Sequence, residues 1–340
     1  MQGILRDRQD KKQISIILLL TDKDVDEQRS AARFTYAQEY PATPIYAFGI
    51  GLKHNSRQLY TLATRVHGTY SFATENIDSI RDAMALCVGG LTSVVAQDVK
   101  ISIQSAHGVK ISDIICGGYD CSVMDGGKLG SITVNDLCGS EVKNFIVEVN
   151  VPAEAADMFD LKSKTTTLLS VTADYYCPVT RGRKETGQID VSLRRPIWVM
   201  GQDCNISVEV ASEVIRAKVF KGVNEIWSEV CASHTTATED VVRKLDSLRK
   251  AFDNTKEVKA MKDRWDELAM DLDCMKQGGA SECYTEAAGL PYMLSWLSSH
   301  QVQRAATLGS TSRSKWFNFR TTRMQNMIDS VDSAPSAFIE

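Results

Sequence analysis

Ile14-Ser-Ile-Ile-Leu-Leu-Leu-Thr-Asp22 is a continuous apolar run that ends in an acidic residue. A second apolar run, Ile45-Tyr-Ala-Phe-Gly-Ile-Gly51, follows after a polar stretch that is long enough for a helix. Apolar runs bounded by polar segments are typical of parallel strands that are covered on both faces. We therefore predict two parallel strands joined by a helical crossover over residues 26–38. Asp22 then lies at the carboxyl end of a strand, where open α/β sheets place their ligand sites.

The chain continues with two helical patterns and one short strand up to residue 95. Residues 56–66 and 77–88 carry apolar side chains at spacings of three and four, and Tyr70-Ser-Phe72 between them reads as an edge strand. This order predicts the second half of a partial, Rossmann-like doubly wound domain over residues 1–95. A complete sheet of this kind needs strands before residue 14. We therefore expect an exposed apolar sheet edge at residues 14–20 that promotes self-association.

Between residues 96 and 200 the apolar pattern changes to a period of two. Val99, Ile101 and Ile103 alternate with polar residues, and further runs of this kind are separated by turn signals such as Gly117-Gly118 and Arg181-Gly182. Such runs predict an antiparallel β-sandwich in which each strand has one buried face.

From residue 201 to 332 helical spacing returns, and residues 333–340 form a tail. We predict helices near residues 208–230, 239–252, 257–275 and 290–306, in a small bundle that packs on the sandwich. The last part of this region is basic and aromatic, with the residues Arg304, Arg313, Lys315, Arg320, Arg323, Trp316, Phe317 and Phe319. We expect the aromatic rings to pack against the sandwich while the arginines face water. The alternative is a surface for an anionic membrane, a nucleic acid or an acidic partner. Trp198 and Trp227 are expected to pack between domains.

Composition excludes several classes of function. The chain has 340 residues, 43% of them apolar, and its 39 basic and 43 acidic side chains give a net charge of −4, which argues against a nucleic-acid partner. No apolar run reaches the roughly 20 residues that span a bilayer, and residues 1–13 contain no apolar signal-peptide core. We therefore expect a cytoplasmic protein with no integral membrane segment. Its nine scattered cysteines are interpreted as reduced thiols.

With these patterns in view, the chain resembles plant von Willebrand factor A-domain proteins of the RING-type E3 ubiquitin ligase (wavy-growth) family. The resemblance rests on Arg6-Asp-Arg to Asp22, on Gly118-Tyr119 after Val109-Lys-Ile-Ser112, and on the run Val208-Glu-Val-Ala-Ser-Glu-Val-Ile-Arg-Ala-Lys-Val219. It implies an A domain followed by a sandwich and a helical, intein-associated-type region. We expect this chain to be N-terminally truncated relative to the family, because it contains no RING spacing of cysteines.

The same resemblance bears on metal binding. Intact A domains of the family hold Mg²⁺ through an Asp-x-Ser-x-Ser loop, a threonine and a final acid, and only Asp22 maps onto that set. Lys23 stands where the family usually has glycine. Mg²⁺ requires a near-octahedral array of oxygen ligands. We therefore expect Asp22 to be a vestigial metal-site position, and Asp24 and Asp26 to be ordinary acids near a helix start.

No catalytic or cofactor-binding motif is found in the sequence. Gly49-x-Gly51 lacks the third glycine of a dinucleotide loop, and the five histidines have no metal-ligand spacing, so they are expected to be surface or satisfied core residues. Three functions remain. The favoured one is a non-catalytic protein–protein interaction module, with ligase substrates or family members as partners. The second is a fragment of a full E3 ubiquitin ligase, and the third is an independent enzyme.

Overall fold

The structure is a computed structural model that describes residues 15–23, 43–153, 164–195, 206–233, 238–276, 289–306 and 315–333. The predicted crossover helix at 26–38 lies outside the described residues, as do Asp24, Asp26, Trp198 and Arg313.

The first part of the fold is a three-stranded parallel sheet. Its strands are β1 (Ile17–Thr21), β2 (Ile45–Ile50) and β3 (Tyr70–Ala73), in the order β1-β2-β3. Ile17 lies opposite Ile45, and Ala47 lies opposite Tyr70. The two parallel strands predicted from the apolar runs are therefore confirmed, and Tyr70-Ser-Phe72 is an edge strand of this sheet.

Two helices cover opposite faces of the parallel sheet. Helix α1 (Ser56–Arg65) begins after Asn55, whose side chain accepts a hydrogen bond from Gln58 N, and its Leu62 packs against Ile45. Helix α2 (Ile77–Leu91) covers the other face, where its Ala83 and Cys87 pack against Tyr46 and Phe48 of β2. The helical spacing read from the sequence matches both helices.

The middle of the chain forms antiparallel strands in two sheets. The larger sheet has the order β10-β9-β4-β7-β6, with β11 also paired to β9, and the smaller one pairs β5 with β8. The strands are β4 (Val94–Ser105), β5 (Lys110–Ile115), β6 (Asp120–Met124), β7 (Leu129–Cys138), β8 (Ile146–Asn150), β9 (Lys164–Cys177), β10 (Gly182–Glu185) and β11 (Ile189–Arg195). Ile111 and Ile114 of the smaller sheet share one buried core with Val99 and Ile132 of the larger sheet.

The last part of the chain is helical. Its elements are α3 (Val208–Ser233), α4 (Thr238–Phe252), α5 (Lys256–Ala260), α6 (Lys262–Lys276), α7 (Gly289–Val302) and α8 (Thr322–Asp332). The single helix predicted at 257–275 is in fact two, because the buried Met261 leaves the helical conformation with φ −128° and ψ 37°. The helix predicted at 290–306 ends at Val302, because Gln303 adopts a φ of 47°.

The helices pack mainly on the parallel sheet, which corrects the expectation that they pack on the sandwich. Helix α7 lies along the outer edge of β3, where Ser298 Oγ accepts a hydrogen bond from Tyr70 N at 2.8 Å and Ser295 Oγ accepts one from Phe72 N at 3.3 Å. Buried edge donors of a strand require partners. The serines of α7 supply them, so α7 closes this edge of the sheet as an additional strand would.

Helix α8 packs closely against α2. A Cβ atom at Gly89 would lie 2.8 Å from the Cα atom of Met324, so only glycine permits this approach. Met324 and Ile328 of α8 share a buried cluster with Leu86 of α2. Among the described helices, none has both the length and the apolar composition needed to cross a membrane.

Candidate functional site

A groove of about 620 Å³ lies where the helical region meets the antiparallel strands. One wall is the connection between β7 and β8, including Val142 and Phe145. The opposite wall is the first turns of α3, with Glu209 and Val210, and residues 316–320 close the groove. Three segments that are distant in sequence therefore form a single concave surface.

Trp316 stands at the rim of the groove with its backbone held in place. The carboxylate of Glu267 on α6 accepts hydrogen bonds from two successive backbone groups, Lys315 N at 3.1 Å and Trp316 N at 3.2 Å. The guanidinium of Arg264 lies over the indole ring at 4.4 Å from its centroid. The indole is nevertheless 45% exposed. A large aromatic side chain is thus presented to solvent in a fixed orientation.

Arg264 is itself held by two groups of α3. Its Nη1 donates to Ser212 Oγ at 2.9 Å, and its Nη2 lies 3.6 Å from Glu209 Oε1. Arg264 therefore joins α6, the start of α3 and the indole of Trp316. This arrangement fixes the ring plane of Trp316 from beneath.

The rim of the groove carries further exposed apolar side chains. Val142 is 69% exposed and Val210 is 53% exposed, on opposite walls. Exposed apolar side chains grouped around a concavity are typical of binding surfaces. Together with Trp316 they form an apolar rim, which is the name used below for these three residues.

Beneath the connection between β7 and β8 lies a buried ion cluster formed by Glu141, Lys143 and Arg304. Arg304 donates from Nε to Glu141 Oε1 at 2.8 Å and from Nη2 to Glu141 Oε2 at 2.9 Å, and Lys143 Nζ donates to Glu141 Oε1 at 2.6 Å. Arg304 also donates to the Tyr46 hydroxyl at 3.0 Å and to the Asp136 carbonyl at 2.8 Å. The cluster therefore ties the groove wall to β2 and to the end of α7.

The charge states of this cluster follow from burial and pairing. Burial alone would raise the pKa of Glu141, but the neighbouring Arg304 and Lys143 outweigh it and lower the pKa to about 2. Burial, aided by Arg304, lowers the pKa of Lys143 to about 8 despite the attraction of Glu141. Glu141 and Arg304 are thus ionised at neutral pH, inside the protein. Removing one partner of such a buried pair leaves an uncompensated buried charge, which is strongly destabilising.

Helix α3 contributes a second buried pair to the floor of the groove. Arg216 Nε donates to both carboxylate oxygens of Glu213 at 3.0 Å, and its Nη1 donates to the carbonyl of His300 at 2.9 Å. The guanidinium also lies 5.9 Å from the ring centroid of Phe319. The start of α3, the end of α7 and the 315–320 segment are therefore fixed to one another.

The structure corrects the expectation for the basic and aromatic residues near the C-terminus. Phe317 is 5% exposed, but it packs in the core of the helical region and not on the antiparallel strands. Trp316 was expected to be packed and is half-exposed, whereas Arg304 was expected to face water but has a side chain that is only 12% exposed and pairs with Glu141. Trp227 packs edge-on against Tyr60 of α1, between the helical region and the parallel sheet, as predicted.

Asp22 lies at the carboxyl end of β1 and is exposed. The neighbouring Thr21 hydroxyl donates to the carbonyl of Lys23 and accepts from its amide. Over the described ranges, no group of three or more histidine, cysteine, aspartate or glutamate side chains is placed to hold a metal ion. The described surroundings of Asp22 therefore do not fit the octahedral oxygen shell of Mg²⁺.

We predict that millimolar Mg²⁺ leaves the melting temperature of this chain unchanged. One carboxylate with a lysine beside it offers too few oxygen ligands for useful affinity. Differential scanning fluorimetry of the wild type and of Asp22→Ala, each with and without MgCl₂, checks this. A rise in melting temperature that Asp22→Ala abolishes would show that the site binds the cation.

Two cysteines correct the expectation that all thiols are reduced. Cys116 and Cys121 form a disulfide with a Cα–Cα distance of 6.5 Å, because the Gly117-Gly118 turn between them brings the two chain segments together. Gly118 N in that turn donates to the carbonyl of Gln301 at 2.8 Å, so the closed turn contacts the end of α7. The thiols of Cys87, Cys138, Cys177 and Cys231 are free of disulfide bonds.

One histidine also differs from expectation. His300 is fully buried, and neither ring nitrogen has a hydrogen-bond partner among the described residues, so it is not a satisfied core residue. Its ring stacks on Trp296 at a centroid distance of 3.9 Å. Burial and the nearby Arg216 hold the pKa of His300 well below its usual range. The ring is therefore neutral and acts as a packing group.

The fold is shared with a solved structure. A von Willebrand factor type A protein from Catenulispora acidiphila aligns with 87% of this chain and 66% of its own chain, with a TM-score of 0.53 and 13% sequence identity. The chain has a von Willebrand factor A-type fold. At this level of identity the likeness concerns the fold alone.

One sequence relative carries a function in its name. The E3 ubiquitin-protein ligase WAV3 of Arabidopsis thaliana is 29% identical over 176 residues, which cover 47% of this chain. The match spans only 20% of the length of WAV3. No family model matches the chain.

Sequence reasoning identified Trp316 as part of an aromatic cluster but missed the residues that hold and surround it. Val142, Val210 and Glu267 come from three separate segments and carry no local motif. Val142 lies between Glu141 and Lys143 in a loop, and Val210 lies in the first turn of α3, where it fits the apolar spacing of a helix. Neither pattern specifies which segments meet.

Proposed function

We propose that this chain is a non-catalytic protein–protein interaction module that binds a partner through the groove and its apolar rim. The observation that carries the proposal is Trp316, which is half-exposed yet held by Glu267 and Arg264. Binding energy at protein interfaces concentrates in a few aromatic and arginine side chains. An anchor that is already ordered in the free protein loses little conformational entropy on binding.

In this proposal, an apolar side chain of the partner inserts between Val142, Val210 and Trp316. The two buried ion pairs beneath the groove keep its walls in place, so the partner meets a preformed surface. The groove combines exposed apolar side chains with a preformed concave surface, which supports recognition as its role.

The similarity to WAV3 supports a more specific proposal about the class of protein and its partners. We propose that the chain corresponds to a partner-binding part of plant RING-type E3 ligases. Its partners are then ligase substrates or other family members, encountered in the cytoplasm. A fragment of a complete E3 ubiquitin ligase is the second candidate, and the name of WAV3 favours it.

The proposed organisation has three parts. Residues 1–95 are the C-terminal half of an A domain, residues 96–200 a β-sandwich, and residues 201–332 a helical domain followed by the tail at 333–340. The groove lies between the second and third parts. Grooves at domain junctions are frequent binding sites.

Trp316→Ala and Val142→Asp are each expected to weaken partner binding by at least about tenfold, because each removes or charges part of the apolar rim. Val179→Asp is the matched control, since Val179 is 81% exposed in the turn between β9 and β10, away from the groove. Partners captured by crosslinking are purified, and their affinity for each variant is measured by isothermal titration calorimetry.

Two results would count against this function. In the first, Val142→Asp and Val179→Asp bind every purified partner as tightly as the wild type does. In the second, the partner's crosslinks map away from the groove. Circular dichroism melts of each variant separate loss of binding from loss of folding.

A further inference from the structure

Strand β11 is an edge strand of the larger antiparallel sheet. It pairs with β9 so that Ile189 lies opposite Val171, Val191 opposite Leu169 and Leu193 opposite Thr166. Within the described parts of the chain, no strand pairs with the other edge of β11. An unpaired edge of seven residues presents backbone donors and acceptors that are able to bind another strand.

The side chains of β11 separate into an apolar row and a charged row. Because side chains alternate along a strand, Ile189, Val191 and Leu193 share one face with the terminal Arg195, and Asp190 and Arg194 share the other. The apolar row is 66%, 43% and 42% exposed, respectively, although it lies on the same face as the buried Leu169. The register irregularity between β11 and β9 skips Leu168, so alternation along β11 itself is unbroken.

We propose that β11 pairs antiparallel with β11 of a second copy of this chain, around a two-fold axis at Ser192. In that register Asp190 lies opposite Arg194 of the second copy, and Val191 lies opposite its Leu193. The two-fold axis repeats each pair, so the interface contains two opposite-charge pairs on one face and two apolar pairs on the other. The two larger sheets then form one continuous sheet.

Charge complementarity selects this register over its neighbours. Moving the axis by one residue in either direction places Asp190 and Arg194 opposite uncharged residues, and both charge pairs are lost. Cross-strand pairs of opposite charge stabilise a sheet, whereas like charges that lie directly opposite destabilise it. The hydrogen bonds that Asp190 Oδ1 accepts from Ser170 Oγ at 2.7 Å and Gln188 Nε2 at 2.8 Å hold the carboxylate on this face.

Strand β1 is a second exposed apolar edge, but it has no charges that would select a register. Strand β1 also exposes apolar side chains, with Leu18 at 38% and Leu20 at 45%. Its sequence, Ile-Leu-Leu-Leu-Thr, contains no charge, so nothing specifies a register or a partner. The self-association expected at residues 14–20 and the pairing proposed at β11 are therefore separable by mutation.

A charge-swap experiment tests the proposal by sedimentation velocity across a micromolar concentration series. Asp190→Arg and Arg194→Asp are each expected to raise the dimer dissociation constant at least about tenfold, because each places two like-charge pairs in the interface. A one-to-one mixture of the two variants is expected to dimerise again, since every charge then meets its opposite. The double variant Asp190→Arg/Arg194→Asp is expected to dimerise as the wild type does.

Two control variants test for general effects of charge reversal and for self-association through the exposed edge of β1. Arg181→Asp reverses an exposed charge in the turn between β9 and β10 and is expected to leave dimerisation unchanged. Leu18→Lys tests the edge of β1. A monomeric wild type, single variants that still dimerise, or a mixture that remains monomeric would each overturn the proposal, as would a dimer that only Leu18→Lys disrupts.

Discussion

Replacing Arg304 by methionine is expected to lower the free energy of unfolding by about 3–5 kcal/mol, because it leaves the carboxylate of Glu141 buried without its main partner. The side chain of Glu141 is only 1% exposed, and Arg304 donates a hydrogen bond to each of its carboxylate oxygens. Methionine retains most of the volume of arginine, so the loss reports the charge and its hydrogen bonds rather than a cavity. Urea denaturation at pH 7 measures the change.

The sign of the pH dependence provides an independent check on this prediction. Glu141 has an ordinary pKa of 4.5 and a pKa of about 2 in the folded protein. A lowered pKa contributes stability that is fully present above pH 4.5 and is lost as the pH falls through about 2. Without Arg304 the pKa of Glu141 is expected to rise, so the variant loses less stability in acid than the wild type does, and the difference between the two proteins is expected to shrink as the pH falls below 4.5.

Arg323→Met is the matched control for Arg304→Met. Arg323 is an exposed arginine near the start of α8, so its replacement is expected to change stability by less than about 0.5 kcal/mol. If Arg304→Met lowers the free energy of unfolding no more than Arg323→Met does, the ion cluster contributes no more stability than a surface ion pair. If Arg304→Met does not fold at all, Lys143→Met tests the same carboxylate by removing its second partner.

The fold could be predicted from the sequence wherever the pattern is local. Continuous apolar runs identified β1 and β2, and period-two runs identified most strands of the larger sheet. The helix break at Met261 was missed because the apolar spacing continues through it. The short strands β6 and β10 were missed because their side chains are mostly exposed and leave no alternation to read.

The candidate site could not be predicted because its contacts are long-range. Glu141 and Arg304 are 163 residues apart, and no spacing rule links them. Phe317 and Trp316 are adjacent aromatic residues, yet one is buried and the other half-exposed, since the carboxylate of Glu267 sets the path of the backbone there. The disulfide between Cys116 and Cys121 is a local contact, with a sequence separation of 5, but the absence of a secretory signal favoured reduced thiols.

Asp271→Asn is expected to make the protein more stable than the wild type at pH 8 while leaving stability at pH 4 nearly unchanged. Asp271 on α6 accepts hydrogen bonds from the Tyr292 hydroxyl at 3.0 Å and from Trp296 Nε1 at 2.9 Å, both on α7. Complete burial raises the pKa of Asp271 to about 7, although these two hydrogen bonds oppose the rise. Asparagine retains an acceptor for Trp296 and never carries the buried charge.

The direction of this pH dependence follows from the protons that Asp271 binds in the folded and unfolded states. A carboxyl whose pKa rises from 3.8 to about 7 on folding contributes stability below pH 3.8 that is lost as the pH increases through about 7. Three units of pKa correspond to about 4 kcal/mol, an order-of-magnitude figure for a fully buried group. The expected result is a difference in unfolding free energy between the variant and the wild type that grows between pH 4 and 8.

The difference in unfolding free energy between Asp271→Asn and the wild type isolates the contribution of Asp271 from those of other groups that titrate in the same pH range. His300, which stacks on Trp296, has a lowered pKa and so contributes stability that increases with pH up to about 6.5, opposite in sign to Asp271. Glu267 adds a negative charge near Asp271 in both proteins. Because both groups are present in the wild type and in Asp271→Asn, their contributions cancel in the difference. A difference that stays flat from pH 4 to 8 would mean that Asp271 titrates as an ordinary carboxyl, and that the contact between α6 and α7 does not depend on its protonation.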